Sequence, residues 1–226
     1  MKKAALGNVF ILLATTLFGQ GTILFTSHTT DRDNHIWAPS PFDLTMSLIG
    51  PGSNDRPSGT TPYQVDGMSL IGVNGNGGQY GAATTFAQLL AGPGSGLPES
   101  SLVPVGAPTT FHTGAAAGQI VAVTVTLTGV PSGTSAVTVE AVAWDNSSGL
   151  YGTWSSASVA WLSGLIAAGR TGETLVPWDP GTGTSTGPYV HDSFNLYFVP
   201  EPSTVAVIGL GAITLVVFRA RASRRP

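Results

Sequence analysis

The side chains that could perform acid–base or metal chemistry are few in this chain of 226 residues. It has four histidines, at distant positions: His28, His35, His112 and His191. One loop, at residues 31–35, contains Asp31, Asp33, Asn34 and His35, and a second histidine–carboxylate neighbour pair is His191 with Asp192. Oxygen-rich loops bind calcium, but this one lacks the spacing and the downstream bidentate Glu of an EF-hand. The favoured interpretation is a solvated turn, so we predict no metal site.

Paired carboxylates are the second chemistry to consider, because glycoside hydrolysis needs two acids facing a cleft. Glu140 with either Asp145 or Glu173 is the best candidate pair. Glu140 is expected on the face of a strand that also bears Trp144, where a solvent-facing charge is the ordinary explanation. Asp145 is expected to cap the turn after that strand through its side chain. The sequence therefore predicts no catalytic residue.

Sequence motifs of other enzyme classes are missing. The chain has no GxSxG elbow, no HExxH and no P-loop, and the glycine-rich NGNGG at residues 74–78 lacks a lysine and a following helix pattern. It has no cysteine, so disulfides, thiolate metal sites and cysteine nucleophiles are excluded. We predict that the protein is not an enzyme and needs no cofactor.

Aromatic side chains are the feature that a carbohydrate-binding protein would use. Trp144, Tyr151, Trp154 and Trp161 lie within eighteen residues. Core packing is the ordinary role of such large rings, and we expect it for Trp144 and Trp161. Tyr151 and Trp154 lie in a stretch rich in Gly and Ser, so these two are the candidate carbohydrate contacts.

Composition and charge limit the class of fold and partner. Only 9% of the residues are charged, and the chain has 30 Gly and 16 Pro, which excludes a helical bundle, a coiled coil and a charged disordered tail. Between residues 20 and 202, three arginines stand against all twelve acids of the chain. Nucleic-acid binding needs clustered Lys and Arg, so no nucleic-acid partner is expected.

Alternating apolar residues predict strands along residues 20–199. The clearest are residues 121–128 and 137–144, which we expect to form a hairpin through the turn at Gly129 to Thr134. Further strands are predicted at residues 22–26, 85–90, 101–105, 173–178 and 194–199. Seven short strands separated by Gly- and Pro-rich turns predict an all-β domain, an antiparallel β-sandwich or jelly-roll-like fold.

One segment has helical spacing instead. Val159, Leu162 and Ile166 recur at the helix period within residues 155–168, with Ser155 or Ser156 as N-cap and Gly169 as the end. The sequence therefore predicts one short helix. The long stretches at residues 31–61 and 72–83 are predicted to be surface loops.

Both ends of the chain carry membrane signals. Lys2 and Lys3 precede an apolar run at residues 9–18, which is typical of a signal peptide, so we assign residues 1–19 to one. Residues 203–218 have no charge and predict a short transmembrane helix. The tail at residues 219–226 carries Arg219, Arg221, Arg224 and Arg225, which the positive-inside rule places in the cytoplasm.

The residues before that helix read VPEPST, with Pro200, Glu201 and Pro202 at its centre. Motif, apolar helix and basic cluster together resemble a PEP-CTERM sorting signal, which covers residues 200–226. The resemblance implies that an exosortase recognises Pro200, Glu201 and Pro202. Physically, the two prolines favour an extended backbone around Glu201.

The body also resembles the uncharacterised β-rich domain found in front of such tails, through pieces such as FAQLLAGPGSG at residues 86–96 and SFNLYFVPEP at residues 193–202. The expectation is an exported protein, held in the inner membrane in transit and then delivered to the cell surface or extracellular matrix, with a structural or adhesive body. The alternatives are a carbohydrate-binding module that contacts matrix polysaccharide and, less favoured, a secreted glycoside hydrolase.

Overall fold

A computed structural model describes residues 20–131, 133–176, 178–179, 184–185 and 187–200. The predicted signal peptide, the transmembrane helix at residues 203–218 and the basic tail lie outside the described residues. In the described ranges, no helix is both long and apolar enough to cross a membrane.

The described part of the chain is built mostly from strands, with one α-helix. The strands are β1 (Gln20–Thr26), β2 (Ile36–Trp37), β3 (Thr85–Pro93), β4 (Val103–Thr109), β5 (Val123–Pro131), β6 (Val137–Asp145), β7 (Ala168–Arg170), β8 (Thr174–Val176), β9 (Trp178–Asp179), β10 (Thr184–Ser185), β11 (Tyr189–Val190) and β12 (Phe194–Asn195). The helix α1 is Trp154–Leu162, and short 3-10 turns lie at Glu99–Ser101 and Gly114–Ala116. The prediction of a mainly β protein with one short helix is confirmed.

These strands form two five-stranded sheets and one two-stranded pair. In the first sheet, β6 pairs antiparallel with β3 on one edge and with β7 and β8 on the other, while β4 pairs with the far edge of β3. In the second, β1 pairs antiparallel with β5 and parallel with β10 and β11, and β9 pairs with β10. The pair is β2 with β12, in parallel.

The two sheets share one apolar core. Ile23 and Phe25 of β1 and Val125 of β5 join one buried cluster with Leu89 of β3 and Val139 of β6. A second cluster lies on the opposite face of the β3–β6 sheet, where α1 packs. All nine residues of β6 are therefore buried, since both faces of this strand are covered.

The predicted hairpin between residues 121–128 and 137–144 is wrong. Both strands form, but β5 belongs to the sheet of β1, and β6 belongs to the sheet of β3. The chain passes from one sheet to the other after β5 ends at Pro131. Both faces of β6 are buried, so this strand lies inside its sheet, with β3 paired along its whole length on one edge and β7 and β8 on the other.

The predicted helix at residues 155–168 is shorter and faces another way. It begins after Thr153, whose Oγ1 accepts a hydrogen bond from the Ser156 N–H, and it ends at Leu162. Gly164 follows with a φ of +69°, a conformation that favours glycine and ends the helix well before Gly169. Its buried residues are Trp154, Ala157, Ala160 and Trp161, whereas Val159 and Leu162 are exposed.

The stretch at residues 31–61 is not wholly a surface loop. Ile36 and Trp37 form β2 and are buried, and Trp37 stacks on Tyr63 with ring centroids 5.1 Å apart. The segment wraps over the end of the β1 sheet and provides the environment of the polar residues described next.

Candidate functional site

The segment that leads to the PEP residues is anchored to the body almost to its end. Phe194 and Asn195 pair with β2, and the Leu196 N–H donates to the Trp37 carbonyl at 2.8 Å. The Phe198 N–H donates to the Leu44 carbonyl at 2.8 Å. Leu196 is fully buried, whereas Pro200 is exposed.

The anchoring thus ends two residues before Pro200. Pro200 lies at the surface, where an enzyme can reach it. Glu201, Pro202 and the four arginines of the tail lie outside the described residues.

A row of packed aromatic rings in the body ends at this segment. Each ring contacts the next one in the row. The centroid distances are 5.8 Å for Phe86 and Trp144, 5.7 Å for Trp144 and Trp154, 6.0 Å for Trp154 and Trp161, and 5.2 Å for Trp161 and Tyr197. The Trp161 Nε1–H donates to the Tyr197 carbonyl at 3.0 Å. The row therefore connects the buried face of β6 to the point where the chain leaves the body.

The burial of this row decides between the two roles considered for the aromatic residues. Trp144 and Trp161 are core residues, as predicted, at 0% and 3% exposure. Trp154 is only 6% exposed and lies between Trp144 and Trp161, so its ring has no free face for a sugar, and the predicted carbohydrate contact there is not supported. Tyr151 is half-buried, and its role as a carbohydrate contact stays a prediction.

The two histidine–carboxylate neighbourhoods of the sequence meet at one end of the β1 sheet. The Asn34 Nδ2–H donates to the His191 carbonyl at 2.5 Å, and the His35 N–H donates to Ser193 Oγ at 2.8 Å. Asn34 and His35 are buried, so the prediction of a solvated turn is wrong for these two residues. Sequence separation concealed this contact, because about 157 positions lie between the partners.

Ser27 and His191 form a fully buried hydrogen-bonded pair, with 2.7 Å between Ser27 Oγ and His191 Nε2. Burial lowers the pKa of His191 to about 4, so the ring is neutral near pH 7. His191 Nδ1 is 2.7 Å from the Asp192 carbonyl, which only accepts, so Nδ1 carries the proton and the Ser27 hydroxyl donates to Nε2. Ser27 Oγ also accepts from the Ile120 N–H at 2.9 Å.

This pair has the atoms of a serine nucleophile and its base, but no substrate can reach it. Ser27 and His191 are both 0% exposed. The hydrogen bonds instead connect the end of β1 to the segments around Ile120 and His191. The pair is therefore a structural connection between three parts of the chain.

Replacing Ser27 with alanine should destabilise the fold by about 1–3 kcal/mol, because the buried Ile120 N–H and His191 Nε2 both lose a partner. Urea unfolding measures the change. Ser155→Ala is the matched control, since Ser155 is exposed at the start of α1 and should change stability by less than about 0.5 kcal/mol. Equal effects of the two variants would contradict the structural role of Ser27.

The other buried histidine, His35, pairs with Asp55 through Nδ1 and Oδ1 at 2.7 Å. Asp33 Oδ1 accepts from the Gln119 Nε2–H at 2.7 Å and lies 3.9 Å from His35 Nε2. In the part of the chain that the structure describes, no three His, Asp or Glu side chains are placed to hold a metal ion.

The candidate carboxylate pair is arranged differently from the prediction. Glu140 is 1% exposed, so the prediction of a solvent-facing charge is wrong: the outer face of β6 is covered. Burial, reinforced by the charge of Glu173, raises the pKa of Glu140 to about 7, and the backbone N–H of Gly172 opposes this. Asp145 caps its turn as expected, accepting from the Ser147 N–H and hydroxyl at 3.0 Å each.

Two clefts of the described part of the chain contain one acid each. A cleft of about 430 Å³ beside Tyr189 and Val176 is lined by one carboxylate, Asp192, which lies 3.5 Å from Arg32. A smaller one of about 240 Å³ is also lined by one carboxylate, Asp145. Neither of these clefts has the paired acids that glycoside hydrolysis requires.

Glu140 should make stability fall as pH rises from about 4.5 to about 7. In that range the folded carboxyl keeps its proton while the unfolded one, with an ordinary pKa near 4.5, ionises. Above about pH 7 the carboxyl is ionised in the folded and in the unfolded protein, and the stability that the protonated Glu140 gave at low pH is lost. His191, with its lowered pKa, gives the opposite slope between about 6.5 and 4, so the difference between the parent and Glu140→Gln isolates the effect.

Urea unfolding at pH 4.5, 6 and 7.5 provides this comparison. We expect the stability of Glu140→Gln relative to that of the parent to increase as pH rises across that range, because the variant keeps the His191 contribution and loses the opposing one of Glu140. Asp31→Asn, at an exposed position, is the control and should follow the parent. Parallel curves for Glu140→Gln and the parent would contradict the buried, protonated carboxyl.

Comparison with known families matches the C-terminal segment. Residues 198–225 match the model of the PEP-CTERM protein-sorting motif. Neither a curated protein nor a solved structure matches the chain. The motif implies export, transit in a membrane-anchored form and processing by an exosortase. The resemblance seen in VPEPST is thereby confirmed, and the chain carries a PEP-CTERM protein-sorting motif at residues 198–225.

Proposed function

We propose that this protein is an exported cell-surface or extracellular-matrix component that an exosortase processes at its PEP-CTERM segment. The body is a two-layer, β-sandwich-like domain with a structural or adhesive role and no catalytic activity. Export begins with a signal peptide at residues 1–19, and the helix at residues 203–218 holds the chain in the inner membrane until it is processed.

The observation that carries this proposal is the sorting motif at residues 198–225, together with the way the body presents it. The chain is anchored by backbone hydrogen bonds through Phe198 and becomes exposed at Pro200. An extended segment next to prolines has few internal hydrogen bonds to break before it enters a binding groove. The geometry therefore suits recognition by a membrane-bound processing enzyme.

Burial of the candidate catalytic groups supports a body without catalysis. The Ser27–His191 pair is inaccessible, and Glu140 lies beneath the surface of the sheet. The two clefts at Asp192 and Asp145 have one carboxylate each. These features argue against a secreted glycoside hydrolase.

The carbohydrate-binding alternative loses its main argument with the burial of Trp154. A sugar-binding surface needs open ring faces, and the rings from Phe86 to Tyr197 pack on one another instead. A structural or adhesive body is the better proposal.

An epitope inserted between Ser95 and Gly96 tests the destination. Both residues are exposed, and a Cβ at Gly96 would meet no atom within 4 Å, so the insertion should be tolerated. We expect antibody to label intact cells or the surrounding matrix. Labelling only after the outer membrane is permeabilised would overturn the cell-surface proposal and leave a periplasmic protein.

A further inference from the structure

A groove of about 240 Å³ lies on the side of the body where the chain leaves it, and it has a polar part, formed by Gln79, Asp145, Ser147 and Ser148, beside an apolar one. We call it the exit groove and define it by Leu150, Tyr151, Leu165, Ile166 and Phe198, which line its apolar part. Leu150 and Leu165 are 73% and 66% exposed, which is high for leucine side chains that share one surface. On the adjacent helix α1, Leu162 is 65% exposed.

The exit groove has a fixed position relative to Pro200. Phe198, two residues before Pro200, is part of its lining and is held by the Leu44 carbonyl. The Trp161 ring packs on Tyr197, and the backbones of Tyr197 and Ala168 exchange hydrogen bonds at 2.9 and 3.1 Å. Leu165 lies three residues after the end of α1, so the packing of Trp161 on Tyr197 fixes the position of the groove relative to the end of the anchored segment.

Chain length places this surface next to the membrane. Three peptide units separate Pro200 from Ser203, where the uncharged run begins, and they span at most about 10 Å. If residues 203–218 cross the membrane, as in the proposed function, sixteen residues give a helix of about 24 Å, shorter than the hydrocarbon layer of about 30 Å. A short helix draws both its ends toward the hydrocarbon boundary, and the exit groove with them.

The chemistry of the surface suits the apolar part of a bilayer. Among the described residues that line the exit groove there is no Lys or Arg, so the groove itself offers no charge attraction to anionic headgroups. Its one acid, Asp145, is 7% exposed and accepts from Ser147. Exposed leucines favour the boundary between headgroups and acyl chains, because burial there removes apolar area from water.

We propose that the exit groove, with Leu162 beside it, is a membrane-contacting surface. While the sorting motif is attached, this surface lies on the periplasmic leaflet of the inner membrane and orients the body over the anchoring helix. The inference rests on the proposed function, because the membrane anchor is what brings the surface to the bilayer. The contact presents Pro200 in one orientation to a processing enzyme in the same membrane.

Site-specific fluorescence on the full chain in vesicles of phosphatidylethanolamine and phosphatidylglycerol tests the contact. Because the chain has no cysteine, Leu165→Cys and Leu150→Cys each give one labelling position for an environment-sensitive fluorophore. Leu24→Cys is the matched control: Leu24 is 41% exposed on β1, in the other sheet, and its neighbours Ile23 and Phe25 point into the core. Sedimentation of the vesicles reports separately whether the chain is anchored.

We expect the labels at positions 165 and 150 to shift to shorter wavelength and to lose most of their emission to a lipid-borne quencher, with no change at position 24. Aqueous spectra at all three positions in a chain that sediments with the vesicles would overturn the membrane-contacting surface and leave the anchor intact. Equal quenching at all three positions would also overturn it. A chain that stays in the supernatant would contradict the anchor of the proposed function itself.

Discussion

Replacing Glu201 with alanine is expected to leave export intact and to make the full-length protein accumulate in the inner membrane. Glu201 is the sole acid within the matched segment at residues 198–225. A hydrogen bond to a charged group contributes about 1.5–3 kcal/mol, so its loss should lower the ratio of processed to full-length protein roughly tenfold or more. Immunoblotting of membrane and extracellular fractions measures that ratio.

Asp31→Ala is the matched control for this experiment, because Asp31 is an exposed acid of the body. It should be processed at the parent rate. Normal release of the Glu201→Ala protein would contradict recognition of the PEP residues. The two prolines would then act only as a rigid linker before the helix.

Trp144→Ala should be the most destabilising single change in the body. Trp144 is 0% exposed, contacts Phe86 and Trp154, and donates from Nε1 to the Tyr151 carbonyl at 2.7 Å. Removing a buried Trp leaves a large cavity and costs about 3–5 kcal/mol, a large part of the 5–15 kcal/mol typical of a folded domain. Urea unfolding of the detergent-solubilised chain, followed by far-UV circular dichroism, measures the loss.

Val159→Ala is the control for this prediction, because Val159 is 66% exposed on α1 and lies outside the proposed membrane-contacting surface. Its unfolding midpoint should change little. A loss of less than about 1 kcal/mol for Trp144→Ala would mean that the aromatic row does not stabilise the β6 sheet as the packing indicates.

Local patterns predicted most of the strands. The alternation at residues 121–128 and 137–144 is a property of neighbouring side chains, and both segments are strands in the fold. The pairing partners could not be predicted, because alternation identifies a covered face and not the strand beside it. Glu140 shows the same limit: its position on β6 was correct, but the cover that buries it comes from elsewhere in the fold.

The same distinction between local patterns and long-range contacts applies to the residues of the candidate site. The PEP residues form a contiguous motif, so the sequence alone identifies the sorting signal, and the family match at residues 198–225 confirms that signal; recognition of Pro200, Glu201 and Pro202 by an exosortase stays a prediction. The Ser27–His191 pair joins residues 164 positions apart and has no local pattern. The small and polar Gly and Ser neighbours of Trp154 predict an open loop, whereas Thr153 starts a helix that buries the ring.

Intact-mass measurement of the protein from its native host, in the inner membrane, on the outer surface and in the medium, tests the central claim most directly. The predicted result is a surface or extracellular species that lacks both ends, beginning near Gln20 and ending near Pro200 to Pro202. A protein found solely in the inner membrane with residues 203–226 still attached would contradict exosortase processing. The chain would then be a C-terminally anchored periplasmic protein.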